Sequence, residues 1–128
     1  MNHKHIAAEW FRYAGSDIEV AKYLKKMVPC PLEIICYHCH QSTEKYLKGT
    51  IAFYGGEILK THDLVALNKK CSQYDEKYSE ILEDCILLTD YGIQTRYPFE
   101  IEVTEADMVL ALETAERIQK FILDIESQ

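Results

Sequence analysis

Residues 31–56 read PLEIICYHCHQSTEKYLKGTIAFYGG. Pro31 is tolerated in the first turn of a helix, and a glycine of the Gly55-Gly56 pair can take the left-handed conformation that closes one. Between these signals Ile35, Cys39, Tyr46, Thr50 and Phe53 fall on one face at helical spacing. The spacing predicts a helix from about Pro31 to Tyr54.

Working outward, Val28-Pro29-Cys30-Pro31 breaks the chain ahead of this helix. Before the break, Ile6, Trp10, Ala14, Ile18, Ala21 and Leu24 recur every three or four positions, which predicts a first helix from Ile6 to about Met27. Downstream, Thr61 is a natural N-cap for a short third helix from His62 to about Cys71. Tyr78, Leu82, Cys85 and Thr89 share a face of a fourth, from about Lys77 to Tyr91. Thr104 with Asp107 three residues on opens a fifth in a capping-box pattern, running to about Asp124 with Met108, Ala111, Ala115, Ile118 and Ile122 inward. No run alternates apolar and polar residues between hairpin signals, and there is no internal repeat. The expected fold is all-α, an antiparallel up-and-down helical bundle of four long helices and one short one, forming a single domain over residues 1–128. The longest gap, Gly92 to Val103, is the expected functional loop.

The net charge of −7 argues against a general polyanion binder, because nucleic-acid affinity comes largely from Lys and Arg neutralising phosphates. A local basic stripe stays compatible with that balance. Five cysteines are an odd number, scattered through helical segments rather than arranged as a disulfide scaffold, and read as reduced thiols. The N-terminal stretch lacks the apolar run of a signal peptide or a membrane span, so a cytoplasmic protein without membrane association is expected.

Certain residues stand out from the helical pattern. His38, Gln41, Lys45 and Lys48 form one polar stripe opposite the apolar face of the second helix. The stripe is either a solvated face or a place to receive a phosphate or a nucleic-acid backbone. Asp17 projects at nearly the angle of Trp10 and Leu24, within the apolar face of the first helix. An unpaired carboxylate there is costly, so it requires a partner, and Lys45, His62 and Arg96 are the candidates. Cys36, Cys39, His38 and His40 include soft-metal ligand types, but the cysteines coincide with the apolar face and all come from one segment, so no metal is expected. In the long loop, Arg96 and Tyr97 put a guanidinium beside aromatics, suited either to a phosphate and a base or to packing the loop on the bundle.

Ala14-Gly15-Ser16-Asp17-Ile18, Cys36 through Lys48, Thr61-His62-Asp63-Leu64 and Arg96-Tyr97-Pro98, in this order and spacing, resemble the HEPN domain family, of the prokaryotic nucleotidyltransferase-associated type. The resemblance covers almost the whole chain. It implies a helical bundle, frequently a homodimer, whose members bind nucleotides, partner a small nucleotidyltransferase in toxin–antitoxin-like pairs, or cleave RNA without a metal. Members that cleave RNA carry Arg-x(4–6)-His near the start of the last helix, a pair able to polarise phosphate and move protons. Here no histidine follows His62, so that pair is absent and a catalytic set is not expected. The resemblance therefore implies a non-catalytic module that binds a nucleotide, RNA or a protein partner and needs no cofactor. Lys45, Lys48, Arg96 and Tyr97 are its candidate binding residues, with Asp17 and His38 nearby. The alternatives are a metal-independent endoribonuclease built on His38 or His62 with Arg96, and a purely structural dimerising protein.

Overall fold

The computed structural model describes residues 2–92 and 102–127. Its helices are α1 (His3–Leu24), α2 (Leu32–Phe53), α3 (Leu64–Tyr74), α4 (Leu82–Leu88) and α5 (Glu105–Glu126), and no strand occurs among the described residues. The all-α bundle expected from periodicity is the fold observed.

Local chemistry sets most helix ends. Asn2 Oδ1 accepts from the His5 amide at 2.7 Å, so α1 starts three residues earlier than the first periodic apolar residue suggests. Gly55, at φ 75°, closes α2: its amide donates to the Ala52 carbonyl and that of Gly56 to the Ile51 carbonyl, both at 2.9 Å. Thr104 and Asp107 form the anticipated capping box at the head of α5. Two further features differ from expectation. The cap of α3 is Asp63, whose Oδ1 accepts from the amides of Val65 and Ala66, while the Thr61 hydroxyl accepts from the Asp63 amide. His62 consequently stands outside the helix. The expected fourth helix is divided into a 3-10 segment (Glu76–Ile81), α4, and a 3-10 turn (Thr89–Tyr91). A tertiary contact accompanies the tight first segment: the buried Asn68 side chain donates to the Tyr78 carbonyl at 2.9 Å, the acceptor that an α-helix would offer to residue 82.

Cross-helix contacts fix directions. His3 abuts Gly55, Trp10 and Phe11 abut Gly49, the Ser42 hydroxyl donates to the Ala14 carbonyl, and Asp17 meets His38, so α1 and α2 run antiparallel. Gln119 pairs with Tyr46 and Glu126 with Tyr54, so α5 runs parallel to α2. Arg117 pairs with Asp84 and Phe121 packs on Tyr78, so the α4 region runs against α5. With α3 inserted, this is an up-and-down arrangement.

α2 touches every other helix and is buried almost all round from Cys39 to Ala52. Ile18, Ile35, Leu47, Ile51, Leu64, Leu67, Ile118 and Ile122 are fully enclosed around it, each contributing about 2 kcal/mol of apolar burial. This central position changes the meaning of the polar stripe. Lys48 is buried, and His38, Gln41 and Lys45 are half-buried, so the stripe is a seam between helices rather than a solvated face.

Candidate functional site

Ala7, Ala14, Ile18 and Ala21 form the buried face of α1, whereas Ile6, Trp10 and Leu24 are half-buried at its edge. Asp17 lies on that edge, 9% exposed, where α1 meets α2, rather than in the middle of the apolar face as periodicity suggests. His38 and Lys45 are seven residues apart on α2, two turns of one face, and both turn toward it. Lys45 Nζ donates to Asp17 Oδ2 at 2.6 Å. His38 Nδ1 is 3.0 Å from Asp17 Oδ1. An ionised carboxylate only accepts, so His38 holds its proton on Nδ1 toward Asp17, and in the neutral ring Nε2 is left as an acceptor. Lys45 is thus the partner among the three sequence candidates, His38 adds a second, and both oxygens of Asp17 are engaged. Their side chains remain 31% and 24% exposed, so their outer surfaces face water.

A second polar cluster surrounds Glu44, which is 6% exposed. Lys48 Nζ donates to Glu44 Oε2 at 3.0 Å, one helical turn away, and His62 Nδ1 approaches Oε1 at 3.0 Å from beyond α2. The Asp63 cap makes this contact possible by leaving His62 in the segment before α3. His62 is therefore the partner of Glu44 rather than of Asp17. His40 is also here, fully buried, its Nδ1 3.9 Å from Glu44 Oε1 and without a hydrogen bond. Burial lowers its pKa below the ordinary histidine value, with Glu44 opposing the shift. Gly92 packs directly on this imidazole: a Cβ there would lie 2.7 Å from Nε2.

Of the sequence candidates, Asp17, His38 and Lys45 are brought together, and Lys48 belongs to the neighbouring Glu44 cluster. Arg96 and Tyr97, with most of the expected functional loop, lie outside the described residues. Sequence reasoning missed Glu44, although His40 and Lys48 stand one turn either side of it. Among the described residues no three His, Cys, Asp or Glu side chains are arranged to hold a metal ion. The buried thiols are not poised as ligands or nucleophiles. Burial pushes Cys36, Cys39 and Cys85 up to about 12 and Cys71 higher still. Chemically, the Asp17 cluster offers an ammonium and an imidazole held by one carboxylate at the surface, a combination able to receive a phosphate oxygen or to move a proton.

Among the described residues no helix is long and apolar enough to cross a membrane. Comparison with protein families matches the HEPN domain over residues 7–125. No curated protein and no solved structure matched the chain.

Proposed function

From the premise that this chain belongs to the HEPN domain family, we propose that it is a non-catalytic module that binds the phosphate of a nucleotide or RNA at Lys45 and His38. HEPN domains are nucleotide- or RNA-related modules, often ribonucleases or toxin–antitoxin components. The observation that carries the proposal is the Asp17 carboxylate holding Lys45 at 2.6 Å and His38 at 3.0 Å at a half-exposed helix crossing. Fixing a long lysine beforehand reduces the rotamer entropy lost when a ligand binds. Lys48, with its charge balanced by Glu44, is part of the same seam.

The same reading makes the protein a cytoplasmic homodimer, as HEPN domains commonly dimerise, and a partner of a small nucleotidyltransferase in a toxin–antitoxin-like pair. Titration with ATP, GTP and short RNA tests the site. Lys45→Ala and His38→Ala should each weaken binding about tenfold, and unchanged affinity in both variants rejects it. Light scattering of the purified protein and co-purification with the product of the adjacent reading frame test the assembly.

One observation favours a second reading. A carboxylate orienting His38 Nδ1–H leaves Nε2 positioned for proton transfer, as a metal-independent ribonuclease requires. Incubation with mixed RNA in chelator then gives products that disappear in His38→Ala. RNA left intact by the parent protein dismisses this reading.

A further inference from the structure

α1 lies against α2 through Ala7, Ala14 and Ala21, all buried. Along the adjoining edge, Ile6, Trp10, Tyr13, Asp17, Val20 and Leu24 follow one another at alternating steps of four and three. Met27 continues the series in the turn beyond the helix, where its amide donates to the Leu24 carbonyl. This is the 3.5-residue repeat by which two helices pack side by side over their whole length, here about 30 Å. The chain's own core does not consume the stripe. Tyr13, Val20 and Met27 are 53%, 42% and 49% exposed. At the head of the stripe Ile6, Glu9, Trp10 and Tyr13 line an open, mainly apolar cleft of about 260 Å³, a hole that an apolar side chain of a second helix can enter.

The order of residues within the stripe selects its occupant. Asp17, the only charged member, is central, with three uncharged positions on either side. A second α1 laid antiparallel about a twofold axis at Asp17 sets Ile6 against Met27, Trp10 against Leu24 and Tyr13 against Val20 of the other copy. Every apolar position then meets another. A slide by one heptad would set Asp17 against Trp10 or Leu24, so the polar residue fixes the register. It brings no unpaired charge to the axis, because Lys45 and His38 engage both its oxygens. Charge decides the sense of the pairing. Antiparallel helices set Glu9 beside Tyr23 of the other copy, whose ring carries the Lys26 ammonium at 5.8 Å from its centroid, whereas parallel helices would stack Glu9 on Glu9 and Lys26 on Lys26.

We propose that the α1 stripe is a dimer interface, packed antiparallel against α1 of a second copy of this chain. The proposal rests on the homodimer reading above, and it places the two Asp17 clusters on either side of the twofold axis. Trp10 is the single tryptophan of the chain and lies in this seam, so its emission reports on the pairing directly.

The test is light scattering of the full chain over a dilution series, with Trp10 emission followed in parallel. The parent should show twice the chain mass, and its emission should shift to the red as dilution separates the copies. Val20→Glu and, separately, Tyr13→Glu should each raise the dissociation constant at least about a hundredfold by placing a charge in the apolar seam. Both side chains face solvent within the single chain, so helicity by circular dichroism should be retained, and either variant serves if the other fails to fold. Ile86→Glu, on α4 and exposed to a similar degree, should leave the dimer intact. In a Cys30→Ser background, copies carrying Glu9→Cys should cross-link to copies carrying Tyr23→Cys, and neither to itself. A dimer that survives both α1 variants, or dissociates with unchanged Trp10 emission, overturns this interface while leaving the homodimer standing. Cross-linking of Glu9→Cys to itself overturns the antiparallel order, and a monomeric parent overturns both the interface and the homodimer.

Discussion

Oδ2 of Asp17 lies 2.6 Å from Nζ of Lys45, tying α1 to α2 through a carboxylate that is nearly enclosed and an ammonium that still reaches water. The asymmetry in exposure matters more than the pairing itself. If Asp17 is removed, Lys45 and His38 can turn toward solvent. If Lys45 is removed, the carboxylate stays where it is, with one donor fewer.

Lys45→Ala is therefore expected to cost about 2 kcal/mol of unfolding free energy, and Asp17→Ala about 1 kcal/mol. Urea denaturation of both variants at neutral pH measures the difference. The reverse order would contradict the burial argument.

Glycines in the two packed helices should respond oppositely to alanine. A Cβ at Gly49 would come within 2.5 Å of the Phe11 ring, whereas one at Gly15 meets its nearest neighbour, the Tyr46 hydroxyl, at 3.4 Å. Gly49→Ala should destabilise by about 2 kcal/mol through overpacking. Gly15→Ala should stabilise by about 0.5 kcal/mol, because alanine costs less backbone entropy in a helix. Melting temperatures that move the same way in both would show that helix propensity, not packing, governs these positions.

His40 links stability to pH. Its folded pKa is lowered by burial, so the unfolded chain takes up this proton first as pH falls. Stability is complete above about 6.5, the ordinary histidine value, declines as pH drops toward the folded pKa, and levels off below it. His40→Gln should flatten that decline relative to the parent protein in thermal scans across this window. Glu44 and His62, the ionisable groups facing His40, remain in both proteins. Parallel pH profiles would assign the decline to other groups.

Thiol reactivity should divide one against four. Cys30 is partly exposed, while Cys36, Cys39, Cys71 and Cys85 are enclosed and held as neutral thiols by burial. A thiol-specific chromogenic reagent should modify one cysteine rapidly in the native protein and the other four at the rate of unfolding. Rapid modification of two or more is incompatible with the packing described.

Helix positions were the legible part of this chain because their signals are local. Gly55-Gly56 and the Thr104–Asp107 box act within a few residues, and both ends appear as expected. The α3 cap falls on Asp63 rather than Thr61: both carry capping side chains, and only the observed geometry selects between them. The 3-10 segment was hidden for another reason. A contact from Asn68, ten residues earlier, to the Tyr78 carbonyl accompanies it.

From residue spacing alone, the chain was determined to be an all-α bundle, with Asp17 requiring a partner and Lys45 among the candidates, because helical periodicity and the cost of burying a charge need no knowledge of neighbours. Only the tertiary structure decided that Lys45 and His38 share that carboxylate while Lys48 and His62 turn to Glu44. The lysines are three residues apart on α2 and equivalent in charge. What separates them is the register of α1 and the path into α3, set by packing across tens of residues and invisible to a pattern that repeats every 3.6.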